Sequence, residues 1–152
     1  MNVKQFLSER GVWFESVPHR ATYDAQRMAQ AVAVSGDEVA KTVVLSVDGR
    51  PVLAVLPATH QIDLAFVARA VGGKKVTLAQ EDELTRLFGD CELGVVPPFG
   101  SQYGLRTIVD ERLARDEEIV FEGNTHEEAI RMRYRDFASI EHPLLATFSH
   151  HT

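Results

Sequence analysis

Two β-rich runs, Thr42-Val43-Val44-Leu45-Ser46-Val47 and Pro51-Val52-Leu53-Ala54-Val55-Leu56, flank the dipeptide Asp48-Gly49. Asp-Gly between two such runs is a strong hairpin signal, because a two-residue turn of the right twist needs positive φ at its centre. Both runs are apolar at odd and even positions alike. A strand that is apolar on both faces is covered on both faces, so this hairpin belongs in the middle of a sheet.

The flanking segments read as alternating short elements. Asn2 to Arg10 has apolar residues at helical spacing (Val3, Phe6, Leu7), with Gly11 as a stop. Val12 to Val17 reads as a strand closed by Pro18. Tyr23 to Val34, rich in Ala and Gln, favours a helix with Thr22 or Asp24 as its cap. Asp63 is placed to cap a helix through Val71, stopped by Gly72-Gly73. A short strand at Lys74–Thr77 and a helix at Glu81–Phe88 follow. Leu93-Gly94-Val95-Val96 reads as a strand that must end at Pro97-Pro98. Further strands are expected at Arg106–Val109, Glu118–Glu122 and Ala129–Arg133, with a final helix near Asp136–Ile140. Hairpin links among these strands predict an α/β protein with mixed strand directions rather than parallel βαβ units. No linker or repeat divides the chain, so residues 1–152 are expected to form one domain.

The 152 residues suffice for a core without staples. The single cysteine, Cys91, cannot pair within the chain, which favours a reducing compartment and a cytoplasmic location. No apolar run approaches the roughly 20 residues of a membrane span, and the first residues lack the apolar stretch of a signal peptide. A membrane partner is therefore not expected. The net charge of −6 excludes a broad polyanion binder. The acidity is uneven: residues 1–76 carry nine Lys/Arg against seven Asp/Glu, and residues 77–152 carry seven against fifteen. Trp13 and the tail around Phe148 are candidate contacts for self-association, with the oligomeric state left open.

Generic motifs are absent. Gly72-Gly73-Lys74-Lys75 lacks the spacing and the hydroxyl of a phosphate loop, and there is no G-x-S-x-G elbow. His126-Glu127-Glu128 and the His150-His151 pair lack partners at zinc-like spacing, so no metal site is expected. Cys91 reads as an inert thiol, and Asp110, at a strand end, is assigned no role.

Four features in order nevertheless point to a family: Lys41-Thr42-Val43-Val44-Leu45 after the Ala/Gln-rich segment; Gln61-Ile62-Asp63-Leu64 through Gly72-Gly73-Lys74-Lys75-Val76; Leu93-Gly94-Val95-Val96-Pro97-Pro98-Phe99-Gly100; and Glu118-Ile119-Val120-Phe121-Glu122-Gly123-Asn124-Thr125-His126. The set resembles the YbaK/ProX family, free-standing relatives of the editing domain of bacterial prolyl-tRNA synthetases, over Val12 to Ile140. The resemblance implies a mixed, partly barrel-like β-sheet with surrounding helices. It also implies hydrolysis of a wrongly attached Cys, Ala, Ser or Thr from the 3′ end of a tRNA, often that for proline, without metal or organic cofactor. The implied partner is the acceptor end of an aminoacyl-tRNA, with a synthetase as a candidate second one. A non-catalytic module of the same fold that binds a nucleotide or tRNA end is the alternative.

Site residues follow from that resemblance. Lys41 matches the lysine that relatives require for editing, which engages the terminal adenosine's phosphate or the ester. An ammonium suits both tasks, since it pairs with phosphate and stabilises developing negative charge. Gly94 matches the glycine of a G-x-x-P loop that holds the aminoacyl group, stiffened by Pro97 and Pro98. Gly123, Asn124, Thr125 and His126 resemble a segment lying across the pocket, where either His126 or Thr125 orients the catalytic water. His60 is a candidate lining residue, whereas Asp63 reads as a cap alone. Thr42 follows the lysine where several alanine-specific relatives have Asn, which speaks against alanine as the substrate.

Overall fold

In the computed structural model the described residues are 1–19, 38–92 and 95–152. The helix expected over Tyr23–Val34 and the glycine Gly94 lie outside them. Helix α1 (Val3–Glu9) and strand β1 (Phe14–Pro18) come first, followed by the hairpin strands β2 (Ala40–Val47) and β3 (Arg50–Pro57). Next are β4 (His60–Ile62), α2 (Leu64–Val71), β5 (Val76–Leu78) and α3 (Glu81–Leu87). A 3-10 turn (Gly100–Tyr103) leads into β6 (Arg106–Asp110), α4 (Glu111–Ala114), β7 (Glu118–Glu122) and β8 (Glu128–Arg133). The chain closes with α5 (Tyr134–Glu141), β9 (Leu144–Ala146) and β10 (Ser149–His151).

The hairpin forms as its turn residues dictate, with φ of 50° at Asp48 and 84° at Gly49. Ala40 lies opposite Pro57 and Val47 opposite Arg50. The five-stranded sheet has the order β5-β2-β3-β6-β9, so the hairpin is interior, as its two-sided apolar pattern requires. β6 joins β3 in parallel and β9 joins β6 in parallel, while β5 and β2 are antiparallel.

Strand alternation divides the core. Val43, Leu45 and Val47 of β2 meet α2 through Val67, together with Ile108 and Phe148. On the other face, Ala40 and Val55 meet Phe99, Ile119, Phe121, Ile130 and α1. Asp63 caps α2 by accepting from the amides of Ala65 and Phe66, and Gly72 ends it at φ 71°. Phe148 is fully buried, which removes it as a contact for self-association. Trp13 stays partly exposed under the Arg133 guanidinium.

One expectation is sharpened and one needs correction. The sheet is not closed into a barrel. β5 and β9 are three-residue edge strands, and β1, β8 and β7 form a separate three-stranded sheet. Among the described residues a single parallel bridge, Val39 to Val120, links the two, too little to carry a continuous ladder. Second, Val95 and Val96 are not in a strand. The Val95 amide donates to the Glu92 carbonyl in a turn, and the two prolines that follow have no N–H for a ladder.

Asp110 proves to be a structural anchor. It is 3% exposed, and its Oδ1 accepts from the Arg112 amide at 2.9 Å. Its Oδ2 accepts from the Phe148 amide at 3.1 Å and from Ser149 Oγ at 2.7 Å. Asp110→Ala removes the acceptor of the buried Phe148 amide and a partner of the Ser149 hydroxyl, and is expected to cost about 2–4 kcal/mol. Urea unfolding measures the loss, and amide exchange should open Phe148 and Ser149 first.

Candidate active site

Lys41 is the second residue of β2 and lies opposite Leu56. Alternation sends its side chain to the face of Val43, Leu45 and Val47. Thr42 points to the opposite face, with Ala40 and Val44. The two neighbours therefore cannot line one surface of the sheet. The Lys41 side chain is half-buried, and burial holds its ammonium below the ordinary lysine range. Among the described residues no carboxylate or hydrogen-bond acceptor pairs with it. A desolvated cation without a counter-charge is costly, and functional sites are where such groups concentrate.

The Val39–Val120 bridge sets the start of β2 beside β7, and the Ala58 amide donates to the Val39 carbonyl at the same point. β7 packs through Ile119 and Phe121 on the face of Ala40 and Val55, so the loop that follows it leaves from the side of the sheet opposite to the Lys41 side chain. Gly123 opens this loop, and its amide donates to the Glu128 carbonyl. A Cβ there would lie 2.8 Å from Ile130 Cγ1, so only glycine lets the loop close over β8. Asn124 follows at φ 72°.

The loop's side chains have different fates. Asn124 Oδ1 accepts from the Val3 amide at 2.9 Å, and its Nδ2 donates to the Met1 carbonyl at 2.7 Å. Its amide group thus fastens the N-terminus. Thr125 Oγ1 accepts from the Glu127 amide at 3.3 Å. His126 is 8% exposed, and its Nδ1 lies 3.2 Å from Glu122 Oε2. The pair is an ion pair when the ring is protonated.

Glu92 joins this loop to the segment that carries the prolines. Its amide donates to the Asn124 carbonyl, and its Oε2 accepts from the His126 amide at 3.2 Å. Pro97 and Pro98 are buried, and a turn closes on Phe99, whose amide donates to the Pro97 carbonyl. Behind the turn, the Glu141 carboxylate accepts from Ser101 N, Ser101 Oγ and Thr107 Oγ1. Ser101, a hydroxyl near the loop, is thereby tied to the scaffold.

His60 sits apart on β4. Its Nδ1 is 2.9 Å from Ser149 Oγ, which donates onward to Asp110, and its ring packs edge-on to His151. The structure thus ties the loop of Gly123, Thr125 and His126 through Glu92 to the chain that leads to Pro97 and Pro98, whereas the Lys41 side chain leaves β2 on the α2 face. Thr42 shares the face of Ala40, on which β7 and Phe99 pack, and Asn124 is occupied by the N-terminus. Glu92 and Glu122 are the residues that sequence reading left out. Glu122 carried a signal, an acid four residues before His126 across a tight loop. Glu92 carried none, because its partners are more than thirty positions away.

Among the described residues, no group of three or more His, Cys, Asp or Glu side chains converges as a metal site, and no helix is long and apolar enough to cross a membrane.

The fold is an open mixed sheet with a half-buried lysine near the start of its second strand. It superimposes with TM-score 0.85 on a crystal structure described as a candidate trans-editing enzyme for prolyl tRNA synthetase, at 26% identity over 97% of this chain and 94% of that one. The model for the aminoacyl-tRNA editing domain matches residues 19–140, and the chain belongs to that family. It is 31% identical, over 93% of its length and 87% of the relative's, to the multifunctional Ser/Thr-tRNA deacylase ProXp-y of Escherichia coli strain K12. It is also 24% identical to a segment of a proline–tRNA ligase from Maridesulfovibrio salexigens, over 71% of this chain and 17% of the ligase.

Proposed function

We propose that the protein is a trans-acting aminoacyl-tRNA deacylase that removes a wrongly attached small amino acid, with serine and threonine the first candidates. The observation that carries this reading is Lys41: a half-buried ammonium, weakened by desolvation and without a partner among the described residues, in a chain of the editing-domain family. The likeness to a Ser/Thr-tRNA deacylase supports the choice of amino acids. A cytoplasmic site of action fits a chain with one unpaired cysteine.

In the proposed reaction, water attacks the carbonyl carbon of the ester that joins the amino acid to the terminal ribose. The new C–O bond turns the carbonyl oxygen into an oxyanion, which the Lys41 ammonium stabilises, or which it steers by gripping the adjacent phosphate. His126 or Thr125 aligns the water. Backbone groups from Gly94 to Pro98 hold the aminoacyl moiety. Collapse of the intermediate breaks the ester C–O bond, and the water's proton goes to the leaving ribose oxygen. A free amino acid and an intact 3′ end result. Side-chain selection is a matter of pocket size and hydrogen bonding, where one methyl group is worth about 1–3 kcal/mol.

The test is a panel of tRNAs charged with Ser, Thr, Ala or Cys, including tRNA for proline, with Lys41→Ala as control. The expected result is release of serine or threonine fastest among the four, with little release by the variant. Release of no amino acid by the wild type would sink the hydrolase reading and leave a binding module. Equal release by both proteins would remove Lys41 from the mechanism.

A further inference from the structure

At the far end of the five-stranded sheet from Lys41, around the Asp48-Gly49 turn, lies a cavity of about 710 Å³. Val47, Asp48, Arg50, Gly72, Gly73 and Arg106 contribute to its lining. We propose that this cavity is a second RNA contact, a phosphodiester-binding site that holds the tRNA backbone while the charged 3′ end reaches Lys41. The choice of RNA as the ligand rests on the deacylase reading.

Charge is the first argument. Arg50 lies next to the turn, and Arg106 is paired with Val52, two residues further along β3. Alternation puts both arginines on one face of the sheet, on adjacent strands, within reach of a single anion. Neither has a carboxylate within salt-bridge distance among the described residues, and both are exposed. Lys74 and Lys75, which follow the lining residue Gly73 in the chain, are exposed as well.

The acid present there is already engaged. Asp48 Oδ1 accepts from the Lys74 amide at 3.1 Å and the Lys75 amide at 2.8 Å, and Oδ2 takes a further bond from Lys74. These bonds hold its carboxyl below the usual range and fix the lysine pair against the turn. Two arginines thus line the cavity with one carboxylate that backbone amides already occupy, in a chain whose net charge is −6. Arginine forks match phosphate oxygens in geometry as well as charge.

Position is the second argument. Lys41, Arg50 and Arg106 share the α2 face of the sheet. From Lys41 to Val47 along β2 is roughly 20 Å at about 3.3 Å per residue. That is the length of about six nucleotide steps at roughly 3.4 Å of rise per strand. Between the two ends lies α2, whose exposed Arg69 covers the Phe66 ring at 4.5 Å and adds a cation along the path. An acceptor strand ending at Lys41 therefore lays its backbone at the arginines.

The test is binding of uncharged, fluorescently labelled tRNA followed by anisotropy across a salt series, which needs no hydrolysis. Arg50→Gln/Arg106→Gln is expected to weaken binding about five- to tenfold. Its log Kd against log[salt] slope should flatten by about 1.4–1.8, the loss of two phosphate contacts. Hydrolysis of a 3′-aminoacyl trinucleotide, too short to reach the cavity, should be unchanged. Wild-type affinity and slope in the double variant would overturn the inference. So would equal loss on the trinucleotide, which would mean general damage to the site. Weakened tRNA binding by the variant, with no charged tRNA hydrolysed by the wild type, would sustain the cavity's role and sink the deacylase reading instead.

Discussion

Lys41→Met is expected to lower deacylation of charged tRNA by about 100- to 1,000-fold, the usual loss when one charge-stabilising donor leaves an active site. The same substitution is expected to leave the protein as stable as before, or more so. Burial depresses the Lys41 pKa in the folded chain, so the folded state holds this proton less tightly than the unfolded state. The penalty is present in full below the folded pKa and is relieved as pH rises toward 10.5, the unfolded value. Methionine keeps the packing stem and removes the charge. Thermal unfolding should therefore place the variant at or above the wild type near pH 7, with the difference shrinking as pH rises. A variant that loses stability and activity together would show that Lys41 serves the fold.

Phe99→Ala should have the largest effect on stability. Phe99 is fully buried and meets Phe6, Phe121 and Phe137 edge-on at centroid distances of 5.3, 5.8 and 5.5 Å. It therefore joins α1, β7 and α5 to the turn that carries Pro97 and Pro98. Truncation removes a large apolar surface and the ring contacts, at about 3–5 kcal/mol. For a chain of this size that is a fall of roughly 10–15 °C in Tm. Deacylation should fall as well, because the proline segment loses the anchor behind it. Phe99→Leu fills most of the volume and should recover most of both losses. Calorimetry and the serine-release assay measure the two effects on the same samples.

These expectations differ in how far they were legible beforehand. The Asp48-Gly49 turn, the Asp63 cap, the Gly72 stop and β7 at Glu118–Glu122 occur where the residues indicate. Each rests on groups within a few positions of one another. β4, β9 and β10 were not expected. Each is three residues long, and β4 finds its partner across ninety-one positions, His60 against His151. So short a strand carries no periodicity, and it exists only because its partner is brought to it. A mixed, partly barrel-like sheet was expected; the sheet is mixed and its two edges remain open.

The candidate site divides in the same way. Lys41 and His126 were named from the order of their motifs, but not their environments. Glu122 beside His126, the Glu92 link and the engagement of Asn124 with the N-terminus all depend on side chains meeting across long separations. The opposite facing of Lys41 and Thr42 follows from strand period, once the register of β2 is known. Turns, caps and the interior hairpin were written in the chain because backbone preference and two-sided burial are local properties. Which face a cation occupies, and whether an acid lies near enough to neutralise it, is decided only when distant strands pack. Desolvation and Coulomb energy depend on three-dimensional neighbours, and no stretch of chain contains those.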